Sequence, residues 1–528
     1  MAGRLAESGK CSVLLLEAGG SNRDIRLKVP ALTSQVVQNP AYDWCYETEP
    51  DPSVGGRRSI WPAGKRLGGG SSINGMMFIR AHPWDFANWQ RMGATGWDYA
   101  SVLPYYRRME RFEAGADDWR GGEGPVAVSH VRARYPVTDA WIAAAEQAGV
   151  PRSPDLNGQQ ADGVDYVQTN QRNGLRCSSA DAYLRGHGER LKVVTGRQVT
   201  RIELVDGRAR RVHWRADDGS TGVYEARAGV VVSGGTMASP KLLMHSGIGP
   251  QAHLREHGID VAVDLPGVGG NLQDHVGTHL VNDVSVRTLN SDARGLALAG
   301  QFARFALTRR GILTTPIGHA HAYVRTQADM PAPNIQLAFA AFAFDLDAQG
   351  RLVLRPNPAV STLVALMRPS HRGTIRLRDG DPLSAPVIDH RMIGSDEDVE
   401  ELCDGFDIAR RIMAQSPIAR HVTGEVRPGV ELASREQLRG YVRAAAIPLY
   451  HPVGTCRSGE GEDAVVDAGL AVRGVEGLWV ADASVMPSLP SGNTNATSIM
   501  IGDKGAAHVL HALYGQPMLA PSAAAAAA

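Results

Sequence analysis

Three short runs of this chain are almost entirely apolar, and each is followed by an acidic residue or a glycine-rich turn. Cys11–Leu16 precedes Glu17, Gly229–Val232 precedes two glycines, and Leu478–Ala481 precedes Asp482. Runs of this length are typical of strands buried on both faces of a parallel sheet. We therefore predict an α/β fold whose ligand lies at the carboxyl ends of these strands.

The middle of the chain has a different pattern. Leu191–Val194, Thr200–Leu204 and Arg211–Arg215 predict short antiparallel strands. Asn334–Phe344 and Ser361–Met367 alternate or run apolar and suit one large antiparallel sheet. This part is therefore predicted to be α+β rather than α/β.

Residues that favour a helix N-terminus predict two helices. In the segment 239–246, Ser239 is suited to the N-cap and Pro240 to the first helical position. In the segment 395–415, Ser395 begins a motif that resembles a capping box, and apolar residues then recur at helical spacing.

The α/β runs lie near the two ends and in the centre of the chain. We therefore predict a discontinuous, Rossmann-like cofactor domain with an inserted α+β substrate domain built on the large antiparallel sheet. The predicted ranges are 1–125, 178–285 and 446–516 for the cofactor domain, 126–177 and 286–445 for the substrate domain, and 517–528 for a disordered tail.

Composition narrows the function. The chain has 528 residues, too many for one ordinary core, and its 55 basic and 55 acidic residues give a net charge of zero. Because no basic run is present, nucleic acid is not an expected partner. The five scattered cysteines have no CxxC spacing, which indicates a reduced, cytoplasmic setting without a metal site. No apolar run reaches the about 20 residues of a membrane helix, and peripheral membrane contact stays open.

A glycine-rich segment and two C-terminal runs carry the candidate chemistry. Gly64–Met76 includes three successive glycines, whose bare backbone can approach a phosphate or a planar ring. The alternative is a flexible surface loop, but the apolar residues that follow favour a structured one. His451–Thr455 and Ser491–Thr497 supply an imidazole and side-chain amides on either side of the run that ends at Asp482.

These segments resemble the signatures of the glucose–methanol–choline (GMC) flavoprotein oxidoreductases, and the chain is similar to their choline and alcohol dehydrogenase branch. Gly64–Asn74, continued to Trp89, resembles the first signature, and Gly235–Pro250 resembles the second. Leu265–His275 is similar to a third recurrent run, and the C-terminal runs match as well. The resemblance covers nearly the whole chain except its tail.

The resemblance implies an FAD-dependent enzyme that moves a hydride from an alcohol to flavin N5. It places Glu17 at the adenosine ribose, which is also the expected role of an acid after a strand of a dinucleotide fold. The positions implied to contact FAD are Glu17, Arg66, Leu67, Gly69, Ser72, Asn74, Gly75, Met76, Val199, Asp482, Ala483, Asn493 and Thr494.

The resemblance also implies the catalytic pair His451 and Asn495. Pro452 restricts His451 to an extended conformation, and a neutral imidazole accepts an alcohol proton well near pH 7. An amide at Asn495 would orient the hydroxyl without competing for the proton. The alternative for this pair is a core or capping role. His319 and His321 are expected to be structural, although they could face the substrate.

Two positions depart from the family. A histidine of the first signature tethers the flavin in some members, and Ile73 stands in its place, so we expect non-covalent FAD. The chain also has no GxGxxG, and counting back the about 20 residues from Glu17 passes Met1. We therefore expect that the first strand and its phosphate loop are missing, through an internal methionine taken as the start or through truncation.

Several alternatives stay open at this point. The same fold hosts flavin-dependent lyases, and a chain that lacks its phosphate loop would bind FAD poorly and be inactive. Dehydrogenase and oxidase are not separated by the sequence. The electron acceptor is accordingly a quinone, another carrier or oxygen, and the substrate is a small alcohol that the sequence does not specify.

Overall fold

The computed structural model describes residues 1–346, 352–430, 432 and 434–526. Two large hydrophobic cores divide the molecule into two lobes. The core of the first lobe contains Trp89 and Tyr106 from the N-terminal part together with Val480 from the C-terminal part. The core of the second lobe contains Trp141 and Phe406. Residues distant along the chain thus meet in each lobe.

The helices are numbered in chain order. They are α1 Ala2–Glu7, α2 Pro83–Arg91, α3 Tyr99–Met109, α4 Pro136–Gln147, α5 Ser179–Tyr183, α6 Gly235–His245, α7 Gln251–Glu256, α8 Leu289–Asp292, α9 Gly295–Thr308, α10 Asp396–Met413, α11 Ser416–Ala419, α12 Arg435–Ala445, α13 Asn495–Tyr514 and α14 Ala523–Ala526. Short 3-10 helices lie at Ile25–Leu27, Pro30–Gln35, Pro52–Val54, Gly69–Ser72, Gly188–Arg190, Ile312–Thr314 and Ala483–Val485. Among the helices of the described ranges, none combines the length and apolar composition needed to cross a bilayer.

The strands are numbered in the same way. They are β1 Val13–Glu17, β2 Tyr46–Glu47, β3 Ile60–Trp61, β4 Met77–Phe78, β5 Glu110–Phe112, β6 Val126–His130, β7 Gly163–Tyr166, β8 Gln168–Thr169, β9 Gln171–Arg172, β10 Leu175–Arg176, β11 Leu191–Thr195, β12 Gln198–Val205, β13 Arg208–Arg215, β14 Thr221–Glu225, β15 Val230–Val232, β16 Ile248–Gly249, β17 Val263–Asp264, β18 Val276–Val284, β19 Ala320–Val324, β20 Ile335–Ala340, β21 Phe344–Leu346, β22 Leu352–Leu354, β23 Ala359–Leu366, β24 Thr374–Arg376, β25 Val387–Asp389, β26 Val422–Arg427, β27 Ile447–Pro448 and β28 Leu478–Val480.

The apolar runs form two parallel strand pairs in the first lobe. β1 pairs with β11, and β15 pairs with β28. The prediction of an antiparallel strand at 191–194 was therefore wrong, because this segment runs beside β1 in the same direction. β28 is fully buried as predicted, whereas β1 and β15 are only partly buried. Their apolar side chains line a large cavity, so an apolar run here marks a ligand wall as well as a core.

Helix α6 begins four residues before the predicted N-cap. Gly235 rather than Ser239 opens the helix, and Pro240 lies inside it. Proline in a helix leaves the carbonyl four residues earlier without its usual donor. In this helix that carbonyl belongs to Thr236, and it accepts a hydrogen bond from Oγ1 of Thr455 at 2.6 Å. The missing backbone bond is thereby replaced from another part of the chain.

The second lobe is built on a seven-stranded sheet, in the order β26-β18-β23-β20-β19-β7 with β27 beside β18. Its pairings are antiparallel, as expected for the large sheet. β18 lies inside this sheet, so the substrate lobe takes in residues before 286 and the predicted boundary was placed too late. The hydrophobic pattern of β18 alone does not reveal which lobe it joins.

Two further predictions concern the start of the helix at 395–415 and the C-terminal tail. Ser395 is the N-cap of α10, and its hydroxyl accepts from the backbone N–H of Asp398 at 3.3 Å. The tail was expected to be disordered, but its described part forms α14, and Ser522 donates its backbone N–H to the carbonyl of Ala100 at 2.8 Å. Alanine has the highest helix propensity, which explains why this composition folds against α3.

Candidate functional site

One cavity of about 2550 Å³ runs from the strand ends of the first lobe to the large sheet of the second. Sites for one small molecule usually measure about 300–1,000 Å³, so this cavity has room for a cofactor together with a substrate. We call the part lined by Glu17, the segment 64–76, Val199, Asp482 and the start of α13 the cofactor end. The predicted site residues on the cavity wall are Glu17, Leu67, Gly69, Asn74, Gly75, Met76, Val199, His451, Asp482, Ala483, Asn493, Thr494 and Asn495.

Two predicted contact residues are not on that wall. Arg66 stacks on the ring of Tyr42, with 4.8 Å between the guanidinium carbon and the ring centre. Ser72 is buried, and its hydroxyl donates to the carbonyl of Leu67 at 2.7 Å. Both side chains stabilise the glycine-rich segment on the side that faces away from the cavity. The motif alone does not predict this orientation of the two side chains.

The glycines of this region allow two backbone segments to touch. A Cβ added to Gly19 would lie 1.8 Å from the carbonyl oxygen of Lys65, and one added to Gly64 would lie 2.2 Å from that of Gly69. The backbone N–H of Leu67 also donates to the carbonyl of Gly20 at 3.0 Å. The segment after β1 and the glycine-rich loop therefore form one bare cradle, which fits a planar or phosphate-bearing cofactor.

The carboxylates of Glu17 and Asp482 differ in how many hydrogen bonds they already accept from the protein. One carboxylate oxygen of Glu17 accepts the backbone N–H of Gly19 at 2.7 Å, and burial raises the pKa of this carboxyl. Asp482 accepts from Gly235 at 2.9 Å, from the Ser239 hydroxyl at 2.6 Å and from Ser484 at 2.8 Å. Asp482 therefore organises the turn after β28, whereas one oxygen of Glu17 has no hydrogen-bond partner among the described residues and is available to a ligand.

Helix α13 points its N-terminus at the cavity. It has 20 residues, and Asn495, Ser498 and Ile499 of its first turns line the wall. Its N-cap residue Thr494 makes no side-chain capping bond. The free backbone N–H groups and the positive end of the helix dipole therefore face the cavity, which favours negative charge on a ligand there.

His451 is half-buried on the cavity wall and is held from several sides. Its backbone N–H donates to Oδ1 of Asp274 at 2.7 Å. Nδ1 lies 3.0 Å from Nδ1 of His275, and Nε2 lies 2.9 Å from Nδ2 of Asn493. The preceding residue, Tyr450, has a φ of 61°, an uncommon conformation for a non-glycine residue. These contacts fix the imidazole in one orientation.

The neighbours of His451 also select its tautomer. An amide nitrogen can only donate, so Nε2 of His451 accepts from Asn493 and the ring hydrogen is on Nδ1, directed at His275. Burial lowers the pKa of His451 to about 4. The ring is thus neutral near pH 7 and presents a lone pair at Nε2, which is the state that a general base requires.

The amide that contacts His451 comes from Asn493 and not from Asn495. Nδ2 of Asn495 donates to Oδ1 of Asn170 at 3.1 Å. Both amides line the cavity, and the one in contact with His451 is that of Asn493, while the catalytic role of Asn495 stays a prediction. Within the described part of the chain, Oδ1 of Asn493 is buried and has no hydrogen-bond partner, so this amide keeps one acceptor for a ligand.

Sequence reasoning missed Asp274 and His275. Burial raises the pKa of Asp274 to about 8, and burial with the nearby His451 lowers the pKa of His275 well below its usual value. Both groups are therefore neutral near pH 7, so their contacts with His451 are contacts with uncharged polar groups. The signal was present, because an acid and a histidine stand together in the third motif, directly before β18.

His319 and His321 of the second lobe are buried and hydrogen-bonded. Nδ1 of His321 contacts Nε2 of Gln336 at 3.0 Å, and Nδ1 of His319 accepts the backbone N–H of Ala341 at 3.1 Å. Burial lowers the pKa of each histidine to about 3, so both are neutral.

Within residues 1–346, 352–430, 432 and 434–526, no group of three or more metal-ligating side chains is arranged to hold a metal ion.

Alternating residues of β18, β20 and β23 line the other part of the cavity. In the strand register, His279 lies beside Leu363 and Ala338, and Val281 lies beside Ser361 and Ala340. We call this surface the sheet wall; its seven residues are His279, Val281, Gln336, Ala338, Ala340, Ser361 and Leu363. The opposite face of the same strands packs into the core of the second lobe.

Comparison with known proteins identifies the family. The chain matches the family model described as GMC oxidoreductase, over residues 15–277 for its N-terminal part and 369–502 for its C-terminal part. It is 36% identical over 514 residues to an oxygen-dependent choline dehydrogenase of Brucella suis biovar 1 (strain 1330), covering 97% of this chain and 93% of that protein. An oxygen-dependent choline dehydrogenase of Rhizobium rhizogenes (strain K84) is 37% identical over 530 residues, covering 99% and 94%.

Solved structures agree with this assignment. Pyridoxine 4-oxidase from Mesorbium loti has a TM-score of 0.86 at 28% identity, covering 97% of this chain and 96% of that one. Formate oxidase from Aspergillus oryzae RIB40 has a TM-score of 0.90 at 24% identity, covering 98% and 96%, and supports the fold alone. These comparisons do not favour the lyase or the inactive alternative. The chain belongs to the GMC oxidoreductase family and is an FAD-dependent oxidoreductase that acts on CH–OH groups.

Proposed function

We propose that this protein oxidises a small alcohol with non-covalent FAD, with His451 as the base and Asn493 as the group that positions the hydroxyl. The observation that carries the proposal is the contact of Nε2 of His451 with the Asn493 amide on the wall of the cavity that also contains the glycine-rich cradle. Both side chains face the space in which an alcohol would meet the cofactor.

The proton step follows from the hydrogen-bonding groups. An alcohol hydroxyl takes the place of the amide at Nε2 of His451 and donates its hydrogen there, while Nδ2 of Asn493 donates to the alcohol oxygen. His451 then holds the proton at Nε2, and its Nδ1–H stays directed at His275. Because Asp274 and His275 are neutral, they orient the imidazole without raising its pKa through a fixed negative charge.

The cofactor end supplies the binding groups for FAD. When bound, FAD supplies the acceptor for the hydride that leaves the alcohol carbon. Glu17 would accept hydrogen bonds from the adenosine ribose, the cradle would hold the pyrophosphate, and the start of α13 would stabilise negative charge. Ile73 is buried on the wall and has no nucleophilic atom, which supports non-covalent binding.

Anaerobic spectroscopy tests the assignment. The purified protein is expected to show flavin absorption that an alcohol bleaches, and acid precipitation is expected to release all of the flavin into the supernatant. The His451→Ala variant should keep the absorption and lose the bleaching. A protein that binds flavin but is bleached by none of a series of alcohols would contradict the proposal, and flavin that stays in the pellet would contradict non-covalent binding.

We also propose that the protein contacts a membrane surface peripherally and passes electrons to a quinone. The support comes from α9, where Leu296, Phe302 and Leu307 are 93%, 52% and 85% exposed. The segment from Ala293 to Ala328 contains five arginines and no acidic residue, so it suits an anionic lipid surface. Phe302 also lines the cavity, which brings its opening to that surface.

Vesicle binding tests the membrane contact. The protein is expected to sediment with vesicles that contain phosphatidylglycerol, and the double variant Leu296→Ser with Leu307→Ser should stay in solution. Val223→Ser removes an exposed apolar residue on β14 and serves as the matched control. Release of peroxide at the rate of alcohol oxidation would identify oxygen as the acceptor instead of a quinone.

A further inference from the structure

The sheet wall bears on the choice of substrate, because it lines the same cavity as His451. His279, Leu363 and Ala338 form one row across the sheet, and Val281 lies in the next row. His279 is the member of these four with a polar side chain, and burial lowers its pKa to about 4, so it is neutral near pH 7. The wall itself is therefore uncharged.

The described residues that line the cavity around the sheet wall are also free of negative charge. Residues from α8, α9 and the segment after β20 complete the lining, and those with apolar side chains include Leu289, Leu298, Phe342 and Phe344. Over the described part of the chain, the carboxylates that line the cavity are Glu17, Glu225 and Asp482. Each of them belongs to the first lobe. None lies on the sheet wall or beside it.

Charged groups near the edge of the wall do not change this picture. Asp283 and Asp345 are both paired with Arg355, at 2.8 and 3.0 Å. Arg427 lines the cavity beside Val281 and lies 3.7 Å from Asp345, so the carboxylates at this edge are already paired with arginines. A cationic substrate would therefore lose its hydration against apolar side chains, without a carboxylate to replace the water.

We propose that the natural substrate is an uncharged alcohol with an apolar body, and not a quaternary ammonium alcohol such as choline. This inference rests on the proposed alcohol oxidation and specifies its substrate class. It differs from the substrate in the names of the choline dehydrogenases to which the chain is similar. The rings of Tyr450, Phe342 and Phe344 line the cavity and offer some attraction for a cation, but they do not replace a carboxylate in a desolvated site.

Two alcohols of the same shape separate charge from size. Choline has a quaternary nitrogen at the position where 3,3-dimethylbutan-1-ol has a quaternary carbon. We expect kcat/KM for anaerobic flavin reduction to be at least about tenfold higher for the uncharged alcohol, since an unpaired cation is penalised in an apolar site. Equal values, or a preference for choline, would overturn the inference.

A matched pair of variants places the effect at the sheet wall. Leu363 is partly exposed to the cavity, and Leu363→Glu adds a carboxylate there while Leu363→Gln adds a side chain of similar size without charge. The Glu variant is expected to shift the preference toward choline by about tenfold relative to the Gln variant. An unchanged ratio in two variants that retain flavin would overturn the assignment of selectivity to this wall.

A third alcohol distinguishes this inference from the proposed function. Benzyl alcohol is uncharged and differs in shape from the matched pair. Bleaching by benzyl alcohol and by choline, with choline preferred over its uncharged isostere, contradicts the substrate class and leaves alcohol oxidation standing. The absence of bleaching by all three alcohols in a flavin-loaded protein contradicts the proposed function and the inference that rests on it.

Discussion

Backbone groups form most of the cofactor end, whereas side chains form the sheet wall. At the cofactor end, Gly19 and Gly64 let two chain segments touch, and the start of α13 presents bare N–H groups. At the sheet wall, three strands distant along the chain contribute two or three side chains each. A cofactor shared by many enzymes can thus be bound by local backbone geometry, while substrate choice depends on side chains that vary independently.

Substitutions at the cofactor end are expected to change FAD binding, and substitutions at the sheet wall are expected to change substrate preference. Substitution of His451, the proposed base, should change the rate of catalysis alone. His451→Ala is expected to lower kcat/KM about a hundredfold to ten-thousandfold, because a general base contributes this much. Its flavin content should equal that of the unaltered protein. Stopped-flow flavin reduction gives the rate, and His213→Ala, a partly exposed histidine on β13, is the control.

The next effect separates the two amides at the start of α13. Asn493→Ala removes the donor at 2.9 Å from His451 and is expected to lower kcat/KM about tenfold, the effect of losing one well-placed hydrogen bond. Asn495→Ala removes a contact with Asn170 and should change it less than about threefold. The reverse order would restore Asn495 as the partner of the base.

Glu17→Gln tests the cofactor end by itself. The variant replaces a charged acceptor by a neutral one and is expected to raise the Kd for FAD about tenfold, because hydrogen bonds to charged groups are the stronger ones. The ratio of activities toward choline and its uncharged isostere should stay unchanged. Fluorescence titration of the flavin-free protein gives the Kd. A changed ratio would show that the two ends are not independent.

The smallest expected effect is that of pH. Burial lowers the pKa of His451 from 6.5 to about 4, so the imidazole stays neutral as the pH falls from 8 to 5. kcat/KM should then change less than about twofold over this range, whereas a base with an unshifted pKa of 6.5 would lose about thirtyfold by pH 5. A pH profile of flavin reduction distinguishes the two.

The cofactor end was accessible from sequence because its features are local. An acid at a strand end, a run of glycines and a helix that starts near Asn493 are each visible within a few residues. Most of the predicted contact residues do line the cavity, and Arg66 and Ser72 do not. These two side chains point away from the cavity, because the loop turns between them in a way that only the packing against Tyr42 and Leu67 determines.

The sheet wall was not accessible in this way. Its composition depends on the register of β18, β20 and β23, and one strand shifted by a single residue would present its other face. The same limit applies to Asn493 and Asn495. They are two residues apart at the beginning of α13, and the position of the helix start determines which amide reaches His451. Parallel pairing of β11 with β1 is likewise set by the tertiary fold.

Thr236 links the segment that carries His451 to the neighbourhood of Asp482 at the cofactor end. Its hydroxyl donates to the carbonyl of Pro452 at 2.7 Å, and its own carbonyl accepts from Thr455, so one residue of α6 holds both sides of the segment that carries the base. The neighbouring Gly235 is bonded to Asp482. Thr236 thus helps to fix the segment of the base relative to the turn at Asp482, and we expect a relative with a larger substrate to change the sheet wall while keeping this residue.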